Sequence, residues 1–128
     1  MYIVCDTHAL LWHLADDRKL SAHARTVFDA IERGENVLVI PSIVLLECLD
    51  IFEKKKVQYG FQRLVLKITG SRNFMISDLN WNLILETERT RGFKDLHDRV
   101  IVATARLFDA ELLSRDRIVR RLFDKTVW

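Results

Sequence analysis

Four acidic residues sit where carboxylates are expensive to place or well placed to react. Asp6 ends a short apolar run. Asp116 lies just past a second such run, Leu112 to Ser114. Asp98 falls in the first turn of a helical segment. Glu47 lies inside a segment that is apolar on nearly every side, with no base at the helical neighbours Ile43, Val44, Asp50 and Ile51. An unpaired buried carboxylate costs several kcal/mol in practice. Glu47 must therefore be exposed, protonated, paired with a base distant in sequence, or close to a cation. Each of the other three acids also has a local reading. Asp6 can cap the helix after it, Asp95 and Asp98 fit the N-cap and third position of another, and Asp116 suits a turn. Gathered at one place, the same acids would repel one another unless a divalent cation neutralised them. Ligands that offer only oxygen suit Mg²⁺ or Mn²⁺ rather than a Cys/His zinc site.

Gathering them requires a particular scaffold. The pattern predicts strands at residues 2–5, 37–40, 74–76 and 112–114, with a last one at 126–128. Helices are expected at 7–15, 21–33 (capped by Ser21 and closed by Gly34), 43–55 and 61–68. Three more follow: one to about residue 89 with Ser77 as its cap, one at 95–109, and a short one at 116–123. Val100, Ile101 and Val102 are β-branched, but the apolar segment runs on to Phe108, which is long for a strand and fits a buried helix. Short, wholly apolar strands alternating with helices predict an α/β fold, a parallel sheet of four to five strands between helical layers. In such sheets ligands bind at the carboxyl ends of the strands. Asp6, Asp98 and Asp116 are all expected at that edge.

The rest of the chain constrains the reading. Its 128 residues are 49% hydrophobic and 30% charged, with one Pro and four Gly, which describes one ordinary domain spanning 1–128 and excludes disordered or repetitive classes. The net charge is only +2, but residues 89–128 carry ten Lys/Arg against six acids. That basic third can face a polyanion, or it can be solvated helix surface. Cys5 and Cys48 stand in apolar surroundings without metal-ligand spacing and read as buried thiols of a reducing compartment. The longest uncharged stretch, residues 36–46, is too short to span a bilayer, and no leader pattern precedes Asp6. A cytoplasmic protein with no membrane role is expected.

Four segments in order carry a resemblance: VCDTHALLWHL (4–14), SIVLLEC (42–48), DLHDRVIVATA (95–105) and LLSRDRIV (112–119), with the ending KTVW (125–128). Together they resemble the PIN-domain ribonucleases, and within them the VapC-like toxins of toxin–antitoxin pairs, over essentially the whole chain. The resemblance implies a three-layer α/β/α, Rossmann-like fold with an acidic pocket, and an endoribonuclease that uses Mg²⁺ or Mn²⁺ to cut single-stranded or loop RNA. It places the family's acids on Asp6, Glu47, Asp98 and Asp116. The first, third and fourth are expected as metal ligands, with Glu47 acting directly or through water. Thr7 and Ser114 match hydroxyls that flank the first and last acids, and Asp95 is an extra acid of this branch. Attack by a metal-activated water would leave 5′-phosphate and 3′-hydroxyl ends. The implied partners are the RNA, a small antitoxin and a second copy of the chain. Close relatives often carry Pro where this sequence reads Asp17-Arg18-Lys19 and just before Asp98, a difference confined to loops.

Arg99 and Arg115 adjoin acids in sequence and are candidates to touch phosphate or to make structural ion pairs. His8, His13, His23 and His97 form no HExxH-like pattern and are expected in structural or surface roles. Trp12, Phe28, Phe52, Phe108 and Phe123 recur with aliphatics at helical spacing and are expected in the core. A haloacid-dehalogenase-like phosphatase would need Asp-x-Asp after the first strand, where this chain has Asp6-Thr7-His8. A non-catalytic PIN-like module that binds RNA or a partner is the remaining alternative, and the four intact acids argue against it.

Overall fold

The computed structural model describes residues 1–128. In chain order it contains β1 (Tyr2–Cys5), α1 (Thr7–Leu14), α2 (Ala22–Glu32), β2 (Val37–Pro41), α3 (Ser42–Lys54) and α4 (Gly60–Gly70). There follow β3 (Phe74–Ser77), α5 (Trp81–Arg89), α6 (Leu96–Leu107), β4 (Glu111–Leu113), α7 (Arg117–Leu122) and β5 (Thr126–Val127). The five strands form one parallel sheet in the order β3-β2-β1-β4-β5, with helices against both faces in an α/β/α sandwich.

Why the strands are apolar is visible in their burial. Ile3, Val4, Cys5, Leu38, Val39, Ile40, Leu112 and Leu113 are all essentially solvent-free, as a sheet covered on both faces requires. The β-branched segment of α6 is a helix, and Val100 to Ala105 are buried throughout. Both cysteines are buried and unbonded, and burial pushes their thiols up, Cys48 to about 12. No helix is long and apolar enough to cross a membrane.

Order along the sheet decides where a site can form. From β1 the chain moves outward through β2 to β3, then returns across β1 to β4 and β5. The direction reverses between β1 and β4, and such a switch point opens a crevice at the carboxyl ends of the strands. The Asp6 N–H donates to the Leu113 carbonyl at 3.1 Å, tying the ends of these two strands together.

Local capping fixes where the helices start. Ser21 caps α2, its hydroxyl accepting from Ala24 N at 3.0 Å. Gly34 follows α2 at φ +83, a left-handed conformation that glycine adopts without strain. The expected cap of α5 was misplaced. Ser77 is the last residue of β3, paired with Pro41, and Asn80 is the cap, its Oδ1 accepting from Leu83 N at 3.0 Å. Asn80→Ala is expected to cost about 1 kcal/mol in a urea titration, whereas Ser77→Ala leaves this cap intact.

Candidate functional site

At the switch point each of three helices begins with an acid. Asp6 caps α1, its Oδ1 accepting from Ala9 N at 2.9 Å. Asp95 caps α6, accepting from His97 N at 2.8 Å. Asp116 caps α7, and its Oδ1 accepts from Ile118 N at 2.8 Å and Val119 N at 2.9 Å. The caps expected at Asp6 and Asp95 are present, Asp116, expected in a turn, caps α7 as well, and all three line one cleft. Helix starts at one sheet edge collect acids because each N-terminus favours negative charge, and the fold points these starts at one cleft.

The cleft has a volume of about 450 Å³, and Asp6, Glu47, Asp95, Asp98 and Asp116 line it. Against five carboxylates stand one guanidinium, Arg115, and one imidazole, His8. Asp98 registers the resulting field. Burial first, then the negative charge of Asp95, Asp116, Asp6 and Glu47, pushes its carboxyl up to about 6. Asp6 is also raised, by burial, while hydrogen bonds from the Ser114 hydroxyl and Ala9 N–H oppose the shift. Ser114 is fully buried, and its Oγ also accepts from Asp116 N at 3.1 Å, so it links the two acids. Glu47 is half-buried on α3. Its partner is a base distant in sequence: His97 Nδ1 lies 3.7 Å from Glu47 Oε1 and 3.9 Å from Asp95 Oδ1.

The residues suit a hard divalent cation by their chemistry, since the donors are oxygens and the five carboxylates outnumber the bases beside them, Arg115, His8 and His97. Thr7 adds a second sign. Its Oγ1 is buried on the cleft wall and has no hydrogen-bond partner in the protein, a rare condition for a buried hydroxyl. No three acidic, histidine or cysteine side chains converge closely enough to ligate one ion directly. A cation in this cleft would therefore keep several waters and take no more than two of the carboxylates directly.

All four expected acids, with Thr7, Asp95 and Arg115, line this cleft, and Ser114 lies directly beneath it. Arg99 does not take part. Its Nε donates to the Thr87 and Thr90 carbonyls at 2.8 and 2.7 Å, and its Nη2 to Glu88 O at 2.9 Å, so its guanidinium ties α6 to the end of α5. Neither a phosphate contact nor an ion pair describes it. Two residues taken for structural ones do belong to the cleft, His8 and Trp12. Lying four apart on α1, they share one helix face, and their closeness in sequence to Asp6 was the available signal. A larger depression of about 670 Å³ opens at the opposite edge between Arg33, Lys67 and Arg72, without an acid cluster.

Comparison with known proteins agrees with this geometry. The family model described as "PIN domain" matches residues 3–124. No curated protein matches the sequence significantly. Among solved structures, the chain is similar to one in the VapBC2 complex from Rickettsia felis bound to a DNA fragment from its promoter. The two share 17% identity at a TM-score of 0.75, over 99% of this chain and 96% of that one. It is also similar to a chain in a toxin–antitoxin complex from Klebsiella pneumoniae, with 20% identity and a TM-score of 0.70 over 98% and 96% of the two chains.

Proposed function

Since the chain belongs to the PIN-domain family, we propose that it is a divalent-metal-dependent endoribonuclease, a VapC-like toxin that a small antitoxin restrains. The supporting observation is the convergence of four acids from the ends of β1 and β4 and from α3 and α6 on one cleft, with Asp98 pushed up to about 6 by burial first and then by the other acids. Mg²⁺, or Mn²⁺ in its place, would be held among Asp6, Asp98 and Asp116, no more than two of them directly and the rest, with Glu47, through water, and it would polarise the scissile phosphodiester and acidify the attacking water. The protein's part is placement. The caps on α1 and α7 fix Asp6 and Asp116, Ser114 sets the spacing between them, and Arg115 offers a positive charge to phosphate at the rim. Thr7 Oγ1 is placed to orient a water.

The test is Mg²⁺-dependent cleavage of total cellular RNA by the wild type beside Asp98→Asn, with an EDTA control. Discrete fragments from the wild type alone, bearing 5′-phosphate ends, are expected. A folded wild type that neither cuts RNA nor binds cation would overturn the reading.

Cation binding has its own readout. At about 100-fold excess over its Kd, a ligand specific for the native state stabilises by about 2.7 kcal/mol. Mg²⁺ is thus expected to raise the melting temperature of the wild type, and not that of a variant in which both Asp6 and Asp98 are Asn.

The two similar structures are toxin–antitoxin complexes, which supports an antitoxin partner. Exposed apolar residues on α3 and α4 (Leu46, Val65, Leu66) and on α5 (Trp81, Ile84, Leu85) supply surface for an antitoxin and for a homodimer. Sedimentation of the purified chain is expected to give a dimer.

A further inference from the structure

We propose that Trp12 is a platform for an unpaired nucleobase next to the scissile phosphate, with Arg115 joining this platform to the acidic cleft. The inference rests on the nuclease reading above and extends it to the form of RNA the site accepts.

The argument begins with two openings that share a wall. His8 and Trp12 line the acidic cleft, and both also line a second cavity of about 290 Å³ between α1, α3 and the start of α4. This second cavity differs in chemistry. Leu11, Phe52 and Val57 give it apolar walls, while Lys19, Lys55 and Arg63 bring positive charge. Five carboxylates repel a polyanion, so a bound strand needs compensating cations close to them. On the α1 side those cations surround one indole. The Arg115 guanidinium carbon lies 5.7 Å from the Trp12 ring centroid, and Lys19 Nζ lies 5.8 Å from it.

The indole is also held in place. Trp128 packs against it edge-on at 5.7 Å, and the His8 ring lies 5.5 Å away, tilted by 46°. A braced indole that lines both openings, with two cations over it and an apolar cavity beyond, is complementary to one nucleotide, whose flat base would take the place of a side chain over the ring while the phosphate met the cations. Every base has a π-face, so such a platform tolerates sequence variation. A paired base has both faces covered within its stack and cannot use it. The platform therefore selects single-stranded or looped RNA by its geometry, on the wall that the acidic cleft and the apolar cavity share. Arg115 spans the two sites, since it lines the cleft and also covers the ring.

The test compares a short single-stranded RNA of mixed sequence with the same RNA carrying one abasic nucleotide on either side of its mapped cleavage site. Removal of the base on one side is expected to raise KM for the wild type about tenfold or more, with kcat little changed. Trp12→Phe keeps most of that sensitivity, whereas Trp12→Leu cuts intact and abasic RNA with similar KM. Fluorescence anisotropy in EDTA, where no cleavage occurs, is expected to show the same loss of binding. If Trp12→Leu fails to fold, the wild type and Trp12→Phe decide the question alone. Equal KM for intact and abasic RNA in an active wild type overturns the platform and leaves the nuclease standing. A peptide segment of a partner that occupies this cavity without competing with the RNA also overturns the platform. Failure of the folded wild type to cut any RNA with Mg²⁺ or Mn²⁺ overturns the platform and the nuclease together.

Discussion

Asp98→Asn is expected to cut RNA on the order of a thousandfold more slowly than the wild type, and to be the more stable protein in EDTA. The two effects share one cause. Asp98 is half-buried among the other acids of the cleft, and burial first, then their charge, raises its carboxyl from 3.8 to about 6. Losing several kcal/mol of charge stabilisation in the transition state gives a rate loss of that order. The amide also removes repulsion from Asp95, Asp116, Asp6 and Glu47. Because Asp98 is only half-buried and partly screened, the gain is on the order of 1 kcal/mol. Its pH dependence has a definite sign. Between about pH 4 and pH 6 the folded protein keeps a proton that the unfolded chain has released, so wild-type stability falls as pH rises through that window. The advantage of Asp98→Asn is accordingly absent below the window and complete above it. Urea titrations at acid and neutral pH check this, with RNA cleavage measured in parallel. A variant that is destabilised at neutral pH in EDTA would refute the account of the cleft as a field of mutual repulsion.

Arg99→Ala is expected to do the reverse, with a large loss of stability and a comparatively small loss of chemistry per folded molecule. The guanidinium donates to three backbone carbonyls near the end of α5. Hydrogen bonds from a charged donor are the strong ones, and orphaned carbonyls at a helix end cost free energy. A loss of about 3 kcal/mol is expected, or roughly 10 °C in melting temperature for a chain of this size. Lysine recovers only part of it, because a single ammonium cannot match the planar fork across several carbonyls. At low temperature, cleavage by Arg99→Ala falls far less than cleavage by Asp98→Asn. Calorimetry and an activity assay on the same samples separate the two. A variant that melts like the wild type but does not cut RNA would return Arg99 to the substrate.

Those two residues show what could be read from the sequence and what could not. Short apolar strands and helix caps act locally, so Tyr2–Cys5, the helix through Val100–Val102, and the caps Ser21 and Asp95 were legible from their neighbours. The acids were legible as oddities, Glu47 most of all. Their gathering at one edge followed from the expected parallel sheet and, residue by residue, from the family resemblance. Long-range side-chain partners were not legible. Nothing near Arg99 announces three carbonyls of α5, and nothing near Glu47 announces His97. Ser77 and Asn80 are both good caps, and only the extent of β3 decides between them. Trp12 misleads in another way. Half-buried aromatics at helical spacing look the same whether the far side of the ring meets core or cleft.

The pairing of β1 with β4 also has a consequence in time. Asp6 is made well before Asp116. Their helices face each other only after β4 has settled beside β1. On a ribosome, a chain that has emerged as far as α5 can pair β1 with β2 and β2 with β3, but it has neither wall of the crevice that β4 and α6 provide. If the proposed activity is directed at RNA, the protein that makes it is incomplete until α6 and the segment after β4 have been made. Its chemistry then switches on at a single late step, when a three-residue strand takes its place in the sheet.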